Sequence, residues 1–187
     1  MEKLVVISAP SGAGKSTIVN DLLKNINSLS FSISACSRPK RKGEIEGEDY
    51  YFIPLDQFKN KIRNNEFLEW EEVYPNHFYG TLIAEIKKIW GEKKTVIFDV
   101  DVIGGLKIKN KFLKDCLSIF IMPPSLSVLE KRLKLRGTES SDKLSMRLKK
   151  AKKEIKKSKM FDHIIVNDSL DEACLDAKRL VLDFIKK

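Results

Sequence analysis

The stretch Ser8–Thr17 reads SAPSGAGKST, a lysine set between a glycine and two hydroxyl residues. Those types in that order suit one task, the cradling of a chain of phosphates. Gly12 and Gly14 let the backbone come close to an anion. The N–H groups of the run Ser11, Gly12, Ala13, Gly14, together with the start of a following helix at Lys15, Ser16 and Thr17, supply donors and a positive dipole end. Lys15 reaches the β- and γ-phosphates of a nucleoside triphosphate, and the Ser16 hydroxyl is a ligand for Mg²⁺. Ala9 stands where the phosphate-loop pattern has its first glycine. At the exit of a strand with negative φ, that exchange adds one methyl and nothing worse. The string is short, and its context gives it weight: an apolar strand at 3–9 precedes it, and an amphipathic helix at 15–26 follows, with Ile18, Val19, Leu22, Leu23 and Ile26 at helical spacing.

The rest of the chain alternates strand-like and helix-like segments, which argues for an α/β protein with a mostly parallel sheet. Strands are expected at 31–36, 50–53, 67–74, 95–100, 117–121 and 163–166, and helices at 56–64, at 125–136 and over the C-terminal stripe from Leu170 to Ile185. Thr81 is expected to cap a helix that runs to Trp90 and stops at Gly91. Asp142 is expected to cap another, whose stripe is Leu144, Leu148, Ala151 and Ile155. The strand at 95–100 ends in acid at Asp99 and Asp101, on the side where a phosphate loop wants a partner for its metal.

With 187 residues, 42% of them hydrophobic, the chain suits one compact domain with small insertions. No apolar run approaches the length of a membrane span, and the N-terminus enters a strand with no sign of a secretory leader, so a cytoplasmic protein is expected. Three dispersed cysteines, Cys36, Cys116 and Cys174, suit reduced thiols, and two histidines are too few for a His-based metal centre. The net charge of +9 favours anionic partners. The basic segments near 38–42 and 131–159 lack interleaved aromatics, which speaks against a nucleic-acid platform.

Further motifs narrow the reading. The runs FSISACSRPKRKGEIEGEDYYF, NNEFLEWEEVYPNHFYGT, FDVD at 98–101, KRLKLRGTES at 131–140 and IIVND at 164–168 occur in order with the phosphate loop. Together they resemble the guanylate kinases over nearly the whole chain. The resemblance implies a three-layer α/β P-loop kinase with a central parallel sheet, a GMP-binding insertion and a helical lid. The core is then 1–33, 83–125 and 159–187, the GMP-binding subdomain 34–82 and the lid 126–158. It implies transfer of the ATP γ-phosphoryl group to GMP, and to dGMP, with Mg²⁺ as cofactor, in a monomer or homodimer with no nucleic-acid or membrane partner.

The same resemblance implies roles residue by residue. Arg38, Arg41, Tyr50 and Tyr79 hold the GMP phosphate, with Gly80 and Asp99 also among the GMP-binding residues. Glu69 accepts from guanine N1–H and N2–H, Ser34 donates to O6, and Thr81 and Asp101 assist. Adenine would leave that carboxylate facing an acceptor, a mismatch that discriminates by roughly 10⁴-fold. Arg136 and Arg147, with Arg132 nearby, neutralise the transferring phosphoryl group alongside Lys15 and Arg41. Asn167 and Asp168 border the adenine of ATP. The chain departs from the family's usual pattern at Ser37, at Val102-Ile103, at His77-Phe78 and by one extra residue near 75; none removes a group given a chemical role. A scaffold-type binding module would lack the loop lysine or the lid arginines, and a kinase for another acceptor would lack the Glu69–Ser34 pair.

Overall fold

A computed structural model of the chain describes residues 2–135 and 141–187. In chain order its main elements begin with β1 (Leu4–Ser8), α1 (Lys15–Asn25), β2 (Leu29–Phe31), β3 (Ala35–Cys36), β4 (Tyr51–Phe52) and α2 (Leu55–Arg63). Then follow β5 (Phe67–Tyr74), β6 (His77–Leu82), α3 (Ile83–Gly91), β7 (Thr95–Asp99), α4 (Val102–Phe112) and β8 (Cys116–Met122). The chain closes with α5 (Leu126–Leu135), α6 (Ser141–Lys156), β9 (His163–Val166) and α7 (Leu170–Lys186).

Five strands pair in the order β2-β7-β1-β8-β9, all parallel. Every residue of β1 is buried, because a parallel sheet is covered on both faces. Side chains alternate across it. Val5 and Ile7 meet Ile18, Val19 and Leu22 of α1 and Ala173, Ala177 and Val181 of α7. Leu4 and Val6 meet Ile86 and Ile89 of α3 and Leu106 and Ile108 of α4. Each fully buried aliphatic contributes roughly 1.5–3 kcal/mol through the area it removes from water. These three layers are the expected α/β core, and they bring the C-terminal ends of β1 and β7 together at one edge.

A second sheet, β4-β3-β6-β5, stands beside the first. Its own small core joins Phe58 of α2 to Phe67 and Phe78, with the Phe58 and Phe67 rings stacked at 4.4 Å between centroids. The expected strand at 31–36 is in fact two strands in two sheets. Ser32 still donates its N–H to Ile97 in the first sheet at 3.0 Å, and Ala35 already pairs with Gly80 in the second. Thr81 caps no helix: it lies in β6, and α3 begins at Ile83 after Leu82. Likewise α6 has begun by Ser141, so Asp142 stands within it rather than ahead of it. Strand β6 and helix α4 are elements that the sequence pattern left unassigned.

The departures from the family pattern have local uses. Beside the position where an extra residue is expected, near 75, the β5–β6 register shifts between Glu72 and Tyr74, a bulge at Val73. Ser37 Oγ donates to Asn76 O at 2.9 Å and accepts from Phe78 N at 2.8 Å, tying β3 to the hairpin turn. Phe78 fills the second core. Cys36 and Cys116 are buried, and burial pushes the Cys116 thiol up to about 12. Among the described residues no helix is long and apolar enough to cross a membrane.

Candidate active site

Strand β1 delivers the phosphate loop and α1 receives it. A turn closes between them, with Ala13 N donating to Pro10 O at 3.1 Å. Gly14 sits at φ 96°, in the left-handed region, and a Cβ there would lie 2.2 Å from Asn167 Nδ2. Only glycine meets both demands. Ala9 is buried and is not among the residues with positive φ, so its methyl is accommodated as the sequence suggested.

Lys15 forms an ion pair with Asp99 and donates to Val100 O at 3.0 Å. Ser16 Oγ donates to Asp99 Oδ2 at 2.8 Å. These groups, with Ser11, Gly12 and Asp101, line a cavity of about 290 Å³. Helix α6 contributes to the same cavity from the other side. Arg147 Nη1 lies 3.5 Å from Ser11 Oγ, and Lys150 and Glu154 follow at helical spacing. Burial pushes the Glu154 carboxyl up, against the pull of Lys150. Arg136 lies outside the described residues.

The second cavity, about 170 Å³, opens between the two sheets and shares Asp99 and Asp101 with the first. Ser34, Tyr50, Glu69, Tyr79 and Gly80 line it, as do Glu71 and Val73. Glu69 Oε1 accepts from Thr81 Oγ1 at 2.7 Å, so the hydroxyl that failed to cap a helix orients this carboxylate instead. Burial raises the Glu69 carboxyl above its ordinary range, opposed by the Thr81 bond. Asp101 Oδ1 accepts from Gly104 N at 2.7 Å and caps α4.

Arg38 is almost fully buried behind the aromatic side of this cavity. Its Nε donates to Tyr79 Oη at 3.0 Å, and its guanidinium lies 5.2 Å from the Tyr50 ring centre. Nη1 donates to Pro39 O at 3.0 Å, and the two Nη atoms grip Glu44 at 2.7 and 2.5 Å. Four of its five N–H groups are thus engaged. The Arg38 bonds hold the Glu44 carboxyl down at about 2. Glu44 also accepts from Arg41 N at 2.8 Å; the Arg41 side chain is exposed and lies outside the described lining of both cavities. A third cleft runs past Thr17, Arg132 and Asp168. Asn167 is buried beneath it: its Nδ2 donates to Ala13 O at 2.7 Å, and its backbone O accepts from Arg132 Nη2 at 3.0 Å.

The fold therefore gathers Ser11, Gly12, Gly14, Lys15, Ser16, Asp99, Asp101 and Arg147 around one cavity and Ser34, Tyr50, Glu69, Tyr79 and Gly80 around its neighbour, with Thr81 bonded to Glu69 from behind. Sequence reasoning passed over Glu44, Glu71, Lys150 and Glu154. Signals were available for three of them: the spacing from Glu69 along a strand for Glu71, and from Arg147 along a helix for Lys150 and Glu154; Glu44 had none. The second cavity also depends on close approach. A Cβ at Gly80 would stand 2.8 Å from Glu69 O and 2.9 Å from Trp70 Cβ. Gly80→Ala is expected to destabilise the protein by roughly 1–3 kcal/mol, read as a lower melting temperature; an unchanged melting curve would contradict that packing.

A parallel sheet with a phosphate loop at its central strand, and a polar second cavity joined to it by shared carboxylates, defines a P-loop kinase. The family model described as guanylate kinase matches residues 1–183. The chain is 46% identical to the guanylate kinase of Porphyromonas gingivalis over 189 residues, all of both chains. It is 45% identical to that of Bacteroides fragilis over 183 residues, 98% of this chain and 90% of the other. The crystal structure of guanylate kinase from Anaplasma phagocytophilum superposes with a TM-score of 0.76 at 30% identity, covering 97% of this chain and 85% of that one. The chain belongs to the guanylate kinase family.

Proposed function

We propose that this chain transfers the γ-phosphoryl group of ATP to GMP, with dGMP as a second acceptor, giving ADP and GDP or dGDP. One observation carries the reading: the cavity at the phosphate loop and the cavity lined by Ser34, Glu69 and Tyr79 meet at Asp99 and Asp101. Two bound nucleotides would face each other there. The loop N–H groups and Lys15 hold the ATP phosphates, and Thr17, Arg132 and Asp168 border the adenine, with Asn167 bracing the loop beneath it. In the second cavity Glu69, held by Thr81, takes guanine N1–H and N2–H, Ser34 donates to O6, and Asp101 stands close by. Tyr50, Tyr79 and the remaining N–H of Arg38 hold the acceptor phosphate, with Arg41 joining from the exposed loop and Gly80 giving room.

The acceptor phosphate is already an anionic nucleophile, so the work left to the protein is positioning and charge neutralisation. Lys15 and Arg147 share the charge that develops on the transferred group. Ser16 Oγ and the Asp99 carboxylate oxygens form a hard donor set suited to Mg²⁺. Mg²⁺ bound there would neutralise charge on the ATP phosphates. Separate small cores support assigning 34–82 to the acceptor subdomain, α5 and α6 to the lid, and 1–33, 83–125 and 159–187 to the frame. Three free thiols suit a reducing, cytoplasmic compartment.

A coupled ADP-release assay with ATP and Mg²⁺, offering GMP, dGMP, AMP, UMP and dTMP, tests the proposal. Turnover confined to GMP and dGMP is expected; turnover with another acceptor would overturn the base-reading site. The raised Glu69 carboxyl adds a pH signature. Only the ionised carboxylate accepts from both N–H groups, so the KM for GMP is expected to be lowest well above the ordinary 4.5 and to rise as pH falls through the raised value. Initial rates across pH check this, and a GMP KM that is flat or moves in step with that of ATP would refute it.

A further inference from the structure

Strand β5 places three side chains on one face of the second cavity: Glu69, Glu71 and Val73. Glu69 pairs across the ladder with Thr81, and Glu71 pairs with Tyr79. Residues two apart on a strand are separated by about 6.5–7 Å. The cavity thus has a base-reading end at Glu69, backed by Thr81, and an aromatic end at Tyr50 and the Tyr79 ring, backed by Arg38. Glu71 stands opposite the Tyr79 backbone, while the Tyr79 ring and hydroxyl reach on to Tyr50 and Arg38, so a nucleoside monophosphate spanning the two ends, as the proposed function requires, has its ribose beside Glu71.

The chemistry of Glu71 suits that neighbour. Burial above all, then the charge of the adjacent Asp101 carboxylate and a hydrogen bond between the two carboxyls, disfavour its ionised form, and Lys107 and Lys150 offset them only in part. A carboxyl pair that shares one proton keeps free acceptor lone pairs for a further donor. A ribose hydroxyl is such a donor, and a deoxyribose lacks the one at the 2′ position. We propose that Glu71 accepts a hydrogen bond from the acceptor's 2′-hydroxyl and sets a preference for GMP over dGMP. This rests on the reading of the second cavity as the GMP site.

The test compares kcat/KM for GMP and dGMP at saturating ATP and Mg²⁺ in the parent protein, Glu71→Ala and Glu71→Gln. One hydrogen bond to this proton-sharing carboxyl pair corresponds to a preference of about tenfold. The parent is expected to favour GMP by about that factor. Glu71→Ala should lower kcat/KM for GMP about tenfold, leave dGMP within about twofold, and bring the ratio near one. Glu71→Gln, whose amide oxygen still accepts, should retain part of the preference. It carries the test by a partial fall in the ratio if the alanine variant does not fold. An unchanged ratio in the variants, or a parent that does not separate the two acceptors, would overturn the proposal. Failure of the GMP site itself looks different, because the parent would then use AMP or use neither guanine nucleotide.

Discussion

Lys15→Ala is expected to lose phosphoryl transfer by about 10³-fold while keeping its fold. Preorganised donors aimed at developing charge are worth roughly 10²–10³ each in rate, and Lys15 is positioned for this by two fixed contacts. Its ammonium is held between the Asp99 carboxylate and Val100 O, with the side chain 19% exposed. Removing it takes a positive charge from the meeting point of both cavities and leaves Asp99 to repel phosphate. Neither apolar core includes Lys15, so melting and circular dichroism should stay close to the parent's. Near-normal turnover in a folded variant would refute the phosphate-loop assignment.

The second large effect is expected at Glu69. Glu69→Gln retains the size of the side chain and an oxygen for Thr81, but turns one acceptor into an N–H₂ group facing the guanine N–H donors. A site built to pair with polar groups discriminates strongly because mismatched groups are left buried and unpaired. The expected result is a fall of roughly 10²–10³ in kcat/KM for GMP, with the KM for ATP within about twofold and a much reduced preference for GMP over AMP. An unchanged preference would show that Glu69 does not read the base.

Parts of this site were legible in the sequence for a physical reason. A phosphate loop is local: strand, turn and helix follow one another, and Gly14 and Lys15 do their work within a few residues of where they stand. The acceptor site is non-local, and its members came from a family resemblance rather than from periodicity. Thr81 illustrates the limit. Before an apolar helical stripe a threonine reads as a cap, yet its partner is Glu69, twelve positions away across a hairpin. Helix α4 was hidden because Gly104 and Gly105 are poor helix formers, although both are buried in its packed face. Glu44 was passed over in a loop of mixed charge, where only the folded path reveals that it grips Arg38. Glu71 was passed over because alternation places it in the cavity without stating what it would meet there.

The central claim is that the cavities sharing Asp99 and Asp101 pass a phosphoryl group from ATP to a guanine nucleotide and not to water. The most direct measurement is a ³¹P NMR time course with ATP, Mg²⁺ and GMP, beside a control without GMP. The account expects ADP and GDP to appear in equal amounts and the control to release almost no inorganic phosphate. ADP accumulating with phosphate and without GDP would contradict it.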